Sequence, residues 1–144
     1  MSWAKLLGRY VTAEPTSKAE LDNLRSIVTR SLQDAVAEGL SEDARFVMAY
    51  DAARTLSLIL VRSEGYRPKS VGGHYNTFLA LQEADPIFTT LSTYFDGCRI
   101  KRNGCEYDFA GGVSDTDADG LLKAVQQFKV DAEAWLKIHH PNLV

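Results

Sequence analysis

Apolar residues recur every three to four positions through most of the chain, which is the period of an amphipathic helix. The pattern predicts helices over about residues 17–38, 41–64, 74–83, 86–107 and 114–140. The second of these has the widest apolar face, so we expect it to be the most buried. No segment shows the strict alternation of a strand. The predicted fold class is therefore all-α: an up-and-down bundle of four long helices plus one short helix.

Helix starts and stops support these boundaries. Ser17 and Glu20 have the spacing of a capping box, and Ser41 precedes the second helix. Asp85-Pro86 is a strong helix start, since proline in the first turn needs no hydrogen-bond partner. Gly39 and Gly65 are expected to end the first two helices.

Residues 1–15 form a separate N-terminal arm in this prediction, and residues 16–144 form a single bundle. Trp3, Leu6, Leu7 and Tyr10 are spaced for one or two helical turns that pack on the bundle. A loosely ordered arm is the alternative.

Composition narrows the function classes. The chain has 144 residues and a net charge of −3, so it exerts no global attraction on nucleic acid or anionic lipid. No apolar run reaches the roughly 20 residues of a membrane span, and the N-terminus does not resemble a secretory signal. Cys98 and Cys105 fit a helix core better than a disulfide or a zinc site. We expect a cytoplasmic protein without a membrane partner.

Candidate chemistry is concentrated in the segment 96–108, DGCRIKRNGCEYD. On a helix, Arg99, Arg102, Asn103 and Glu106 are three to four residues apart and share one face. Such a face can bind a phosphate group, or it can be an ordinary solvated surface. Its segment 99–102, RIKR, is the densest basic patch of the chain.

Two further motifs were weighed. Residues 115–120, DTDADG, match the first half of a calcium-binding loop, but the ninth and twelfth positions are Lys123 and Gln126 instead of acidic ligands. We therefore expect no metal site and no cofactor. His74 follows Gly72-Gly73, where it can serve as a general base or a phosphate contact, or can simply line a helix start.

The segment Arg102-Asn103-Gly104-Cys105-Glu106-Tyr107 resembles the signature of HEPN domains, in which histidine follows an arginine after four to six residues. Other short motifs resemble one bacterial branch of that family in order and spacing: residues 45–46, 49–53, 65–68, 73–75 and 106–108. The resemblance covers about residues 17–140. It implies a helical bundle that forms a homodimer through its signature helices.

The resemblance also implies a link to RNA. Many HEPN proteins are metal-independent ribonucleases, often toxins of toxin–antitoxin or phage-defence systems. Others bind RNA or a protein partner without cleavage, sometimes beside a nucleotidyltransferase. A nucleotidyltransferase or an antitoxin is thus an expected partner class.

Tyr107 stands where the signature has histidine. An ordinary tyrosine, with a pKa near 10, is a poor base at neutral pH, so binding survives this change better than catalysis. We therefore predict a domain that binds RNA or a nucleotide-bearing partner through Arg99, Lys101, Arg102, Asn103 and Tyr107. Glu106 is expected to support Arg102.

Two alternatives remain open. The first is an active ribonuclease, in which Arg102 holds the scissile phosphate and His74 or Tyr107 transfers the proton. The second is a structural dimerisation module without RNA chemistry.

Overall fold

A computed structural model describes residues 2–104 and 112–144. Its elements, in chain order, are α1 (Trp3–Leu6), β1 (Val11–Ala13), α2 (Lys18–Ala35), α3 (Glu42–Ser63), β2 (Tyr66–Pro68), α4 (Gly73–Ala84), a 3-10 turn (Pro86–Phe88), α5 (Thr89–Asn103), α6 (Asp115–His139) and a final 3-10 turn (Pro141–Leu143). The predicted site residues Glu106 and Tyr107 lie outside the described residues, as does Cys105.

Helix α3 lies at the centre of the molecule. It packs against α2 on one side and α6 on another, and it also contacts α4 and α5. Buried side chains occur in each of its turns from Phe46 to Ser63. The predominantly helical class is confirmed, as is the expectation that the second long helix is the most buried. None of the helices in the described ranges is long and apolar enough to cross a membrane.

Aromatic rings fill the centre of the core. Phe78 of α4 and Phe128 of α6 both pack on Phe95 of α5, with ring centroids 5.8 and 5.6 Å away. Phe88 then contacts Phe128 and Trp135 edge to face. Tilted and edge-to-face pairs of this kind add to the free energy gained by burying the rings. Phe95 thereby links α5 to two neighbouring helices.

The predicted caps form at the helix starts. The hydroxyl groups of Ser17 and Ser41 accept from the third amide of each helix, and the Asp85 carboxylate accepts from the amide of Ile87. One detail differs from the prediction. The Glu20 carboxylate accepts from Thr16 and Arg62 instead of completing a capping box.

A two-stranded antiparallel sheet contradicts the expectation of a strand-free chain. β1 pairs with β2, with Val11 opposite Pro68 and Ala13 opposite Tyr66. Strands of three residues are too short to show a period of two, so the pattern analysis could not detect them. Leu6 and Val11 are fully buried in a second apolar cluster. The N-terminal segment therefore packs on the bundle through these two side chains.

Two helix boundaries also differ. α2 ends at Ala35, four residues before Gly39, which has a positive φ of 83° in the following turn. The predicted helix over 86–107 begins with the 3-10 turn, and α5 then continues without interruption through Gly97.

Arg62 joins the N-terminal segment to the bundle. Its side chain is 1% exposed. Nε donates to the Glu20 carboxylate at 2.7 Å, and the other nitrogens donate to the carbonyl oxygens of Glu14, Pro15 and Tyr66. A buried charge is tolerated only when it is paired and hydrogen-bonded in this way.

We predict that Arg62→Met lowers the free energy of unfolding by about 3–5 kcal/mol, because it removes one of the two arginine partners of the Glu20 carboxylate and leaves three carbonyl groups without their arginine donor. Urea denaturation measures the loss. Arg67→Met is the matched control: Arg67 contacts the same two carboxylates, of Glu14 and Glu20, but is 43% exposed, so its loss should stay below about 1 kcal/mol. Equal losses in the two variants would contradict the structural role assigned to Arg62.

Candidate phosphate-binding site

Three helices bring cationic and aromatic side chains together at one end of the bundle. α3 contributes Tyr50 and Arg54, α4 contributes His74 in its first turn, and α5 contributes Arg99 and Arg102. All three guanidinium groups act electrostatically on His74. We call Arg54, Arg99 and Arg102 the arginine cluster.

The start of α4 has the backbone geometry of an anion site. Gly72 is the N-cap residue with φ of 71°, a left-handed conformation that favours glycine. Among the described residues, no side chain caps the first turn of this helix. Its first amide groups and its helix dipole therefore favour a negative charge at this end.

Asn76 holds the loop that leads into α4. Its side-chain amide donates to the carbonyl oxygens of Lys69 and Val71 at 3.0 and 2.9 Å. The side chain is buried, and the backbone amide of Asn76 donates to the carbonyl of Gly72. One side chain thus fixes the path of the glycine-containing loop relative to the helix that follows it.

His74 is uncharged at neutral pH. Burial lowers the pKa of His74 to about 4, and the positive charges of Arg54, Arg102 and Arg99 act in the same direction. The Tyr50 hydroxyl and His74 Nδ1 share a hydrogen bond of 3.0 Å. Burial raises the pKa of Tyr50 well above its ordinary value, so the phenol keeps its proton.

Two tautomers of His74 satisfy this hydrogen bond. If the phenol donates to Nδ1, Nε2 carries the imidazole proton and is a hydrogen-bond donor. If Nδ1 carries the proton and donates to the phenol oxygen, Nε2 has a free lone pair and can accept a proton. The first form suits phosphate binding, and the second suits general-base catalysis.

Aromatic rings and a carboxylate position the arginines of α5. Arg99 Nε donates to Asp96 Oδ1 at 2.7 Å, and its Cζ lies 5.6 Å from the centroid of the Tyr75 ring. Arg102 Cζ lies 5.7 Å from the centroid of the Tyr50 ring. Cation–π contacts of this length favour a fixed guanidinium position. Arg102 and His74 thus contact the same tyrosine.

Two small clefts open on either side of the α4 start. The first cleft, about 210 Å³, is lined by Gly72, Gly73, His74, Tyr75, Arg99 and Asn103. The second cleft, about 160 Å³, lies between Arg54 and the loop before α4, with Lys69, Ser70 and Thr77 along its wall. Gly73 and His74 border both clefts. The two spaces are therefore neighbours across a single turn of backbone.

The predicted RNA-binding residues do not all lie together. Asn103 and Arg99 line the first cleft, and Arg102 lies beside it on Tyr50. Lys101 lies elsewhere, in an ion pair of 3.1 Å with Asp117 in a groove between α5 and α6. The helical period explains the separation, since residues two apart point to different sides of a helix.

The face with Arg99, Arg102 and Asn103 is partly buried against its neighbours, and Arg99 keeps only 25% of its side chain exposed. The pairing of Glu106 with Arg102 and the role of Tyr107 concern residues outside the described ranges.

Sequence reasoning did not identify Tyr50 and Arg54. Both belong to α3, whose wide apolar face was interpreted as core. The available signal was Arg54 itself, a cation one helical turn after a tyrosine within a helix predicted to be buried. Such a residue needs either a partner or a ligand.

The acidic residues at the start of α6 bind cations of the chain itself. Asp115 and Asp119 both pair with Arg45, and Asp117 accepts from the Ser114 amide and from Lys101. Within residues 2–104 and 112–144, no group of three metal-binding side chains is present.

A larger and mostly apolar cleft of about 710 Å³ lies between α5 and α6. Its lining differs chemically from the arginine cluster. Its walls include Ile87, Leu91, Tyr94, Trp135 and Ile138. No arginine or lysine side chain lines this cleft. The more spacious cleft is therefore not the one with the cationic groups that an anion needs. We assign the phosphate chemistry to the smaller clefts, because charge and donors decide anion binding.

Comparison of the chain with protein-family models, curated proteins and solved structures gives no match. The resemblance to HEPN domains therefore depends on the motifs quoted above.

We predict that the imidazole of His74 titrates near pH 4 in the folded protein. Because its unfolded pKa is near 6.5, the unfolded state binds the proton first, and stability should fall as pH drops from about 6.5 to about 4. The loss attributable to His74 is on the order of 1–2 kcal/mol after allowance for solvent screening. An NMR titration measures the pKa, and urea denaturation at several pH values measures the loss.

His74→Gln should remove this component of the acid sensitivity, whereas the control His139→Gln, in the last turn of α6, should retain it. A His74 imidazole that titrates above pH 6 in the folded protein would contradict the described environment.

Proposed function

We propose that this protein is a HEPN-type domain that binds single-stranded RNA through the arginine cluster. The observation that supports this most directly is the convergence of Arg54, Arg99 and Arg102 on an uncharged histidine at the uncapped start of α4. Several positive groups close to one histidine are suited to a phosphate group. Asn103 adds a neutral donor and acceptor at the first cleft.

Arginine suits this task because its planar guanidinium group can donate two parallel hydrogen bonds to one phosphate. Tyr50 and Tyr75 hold two of the three guanidinium groups, and Asp96 orients Arg99. Side chains held in this way lose less conformational entropy when a ligand binds.

The neutral state of His74 affects how the site responds to an anion. Burial and the repulsion of the three arginines lower the pKa of His74, so the imidazole stays uncharged until an anion arrives. A bound phosphate would offset that repulsion and favour protonation of His74. Binding and proton uptake are then coupled.

The acidic chain restricts binding to this local patch. With a net charge of −3 the molecule as a whole does not attract RNA, so affinity depends on short-range contacts and falls with added salt. The family resemblance suggests a role in a toxin–antitoxin or defence system, with an antitoxin or a nucleotidyltransferase as partner.

We expect single-stranded RNA to bind at low salt, and Arg102→Gln or Arg99→Gln to weaken binding at least tenfold, since each removes a charge-assisted hydrogen bond. Fluorescence anisotropy with a labelled hexauridylate measures the affinity. Lys101→Gln is a closely matched control: it removes the same charge one residue away, but from the side that faces α6, and should change binding less than threefold.

The salt dependence of the association constant gives the number of arginine–phosphate contacts. Three arginines on phosphates predict a slope of the logarithm of the association constant against the logarithm of salt concentration of about −2, from roughly −0.7 per contact. A Lys101→Gln effect as large as that of Arg102→Gln would place the RNA on another surface and reject this site.

An active ribonuclease is the second candidate, and one observation favours it: His74 is neutral and adjacent to the arginine cluster. In the tautomer with Nδ1 protonated, Nε2 could take the proton of a ribose 2′-hydroxyl, whose oxygen would attack the adjacent phosphorus. The departing 5′-oxygen would need a proton from an acid, the role considered above for Tyr107.

For this candidate, His74→Gln should lower the rate of RNA cleavage by about 10²–10⁴-fold while RNA remains bound, and Arg102→Gln should reduce both. Gel analysis of hexauridylate incubated with each variant measures cleavage. Binding without any cleavage by the wild-type protein favours the non-catalytic function.

We also propose a homodimer formed through α5. The exposed residues of α5 include the uncharged Thr90, Thr93, Gly97 and Ile100, and Ile100 is 62% exposed. Lys101 is also exposed, but it is paired with Asp117. Like surfaces can pair across a two-fold axis without charge repulsion. Sedimentation analysis should give a dimer at micromolar concentration, and Ile100→Glu should shift it to monomer. A wild-type protein that sediments as a monomer would reject the dimer.

A further inference from the structure

One bound phosphate can occupy only one of the two clefts beside α4. Each is bordered by at least one arginine: Arg99 at the first cleft and Arg54 at the second. Gly73 and His74 separate them. A single phosphate in the first cleft would leave Arg54 and its surroundings without an anion.

The cations around the second cleft differ in what they already bind. Arg67 pairs with the carboxylates of Glu14 and Glu20, and Lys69 donates to the carbonyl of Gly8. Arg54 is different: its Nε is buried and makes no hydrogen bond to any residue that the structure describes. A buried polar group without an acceptor calls for an explanation, and a bound anion next to the guanidinium is one.

Arg54 has a larger electrostatic effect on the pKa of His74 than Arg102 or Arg99 has. Arg54 and His74 both line the second cleft. The hydroxyl groups of Ser70 and Thr77 line the same space, although Thr77 already donates to the carbonyl of Gly73.

We propose that the two clefts bind two consecutive phosphates of one single-stranded RNA, one on each side of His74. The nucleoside that joins the phosphates then passes over His74 and Gly73. This inference rests on the proposed function, because it assumes that the first cleft binds an RNA phosphate. A free diphosphate fits less well, since its two phosphate groups share one oxygen and would occupy a single cleft.

The test compares two dinucleotides that differ by one phosphate. UpU carries one phosphate, and 5′-phosphorylated pUpU carries two. Both are titrated into the full-length protein at low salt, and binding is followed by NMR through the amide signals of residues 72–77. We expect pUpU to bind about tenfold more tightly than UpU, the gain typical of one charge-assisted contact.

Arg54→Gln should reduce this advantage to less than threefold. Arg54→Lys keeps the positive charge and should retain part of the advantage, which separates the loss of a contact from a loss of folding. Arg30→Gln removes the same charge from an exposed position on α2 and should leave both affinities unchanged.

The outcomes separate this inference from the proposed function. Equal binding of UpU and pUpU, lost in Arg102→Gln, would overturn the second phosphate position and leave the RNA site intact. A preference for pyrophosphate over pUpU would overturn it in favour of a diphosphate site. If neither dinucleotide binds, both proposals fail. A pUpU advantage that persists in Arg54→Gln would place the second phosphate elsewhere and reject the assignment.

Discussion

The buried guanidinium of Arg62 is the contact on which the arrangement of this end of the molecule depends. It lies near the C-terminal end of α3, 1% exposed, and donates to Glu20 at the start of α2 and to three backbone carbonyls of the flanking segments. One of these carbonyls belongs to Tyr66 in β2. A single side chain thus joins the segment after the first strand, the second strand and two long helices. Its charge would be costly to bury without this full set of acceptors.

The candidate site is connected to Arg62 through β2, whose Tyr66 carbonyl accepts from it. β2 leads directly into the loop that Asn76 holds, and the loop ends at Gly72, where α4 begins without a side-chain cap from any described residue. His74 then lies against Tyr50 of α3, and the arginines of α5 approach from the other side. The cationic clefts are therefore assembled from parts of the chain that are distant in sequence. A local motif describes only the α5 portion of them.

Features that depend on local periodicity could be predicted from the sequence. The long helices and the caps at Ser17, Ser41 and Asp85 follow from spacing and turn chemistry, and these are confirmed. The strands were missed because three residues are too few to show alternation. Arg54 and Arg62 were missed because their roles depend on tertiary neighbours. Lys101 was grouped with Arg99 and Arg102 by closeness in sequence, although helical geometry separates it from both.

The central claim is that an RNA phosphate occupies the space beside His74. The most direct measurement is the pKa of the His74 imidazole, by NMR, with and without saturating hexauridylate. A negative charge next to the ring opposes the three arginines, so the pKa should rise from about 4 by at least one unit on binding. Tight RNA binding with an unchanged His74 pKa would contradict the account, because the phosphate would then lie away from the arginine cluster.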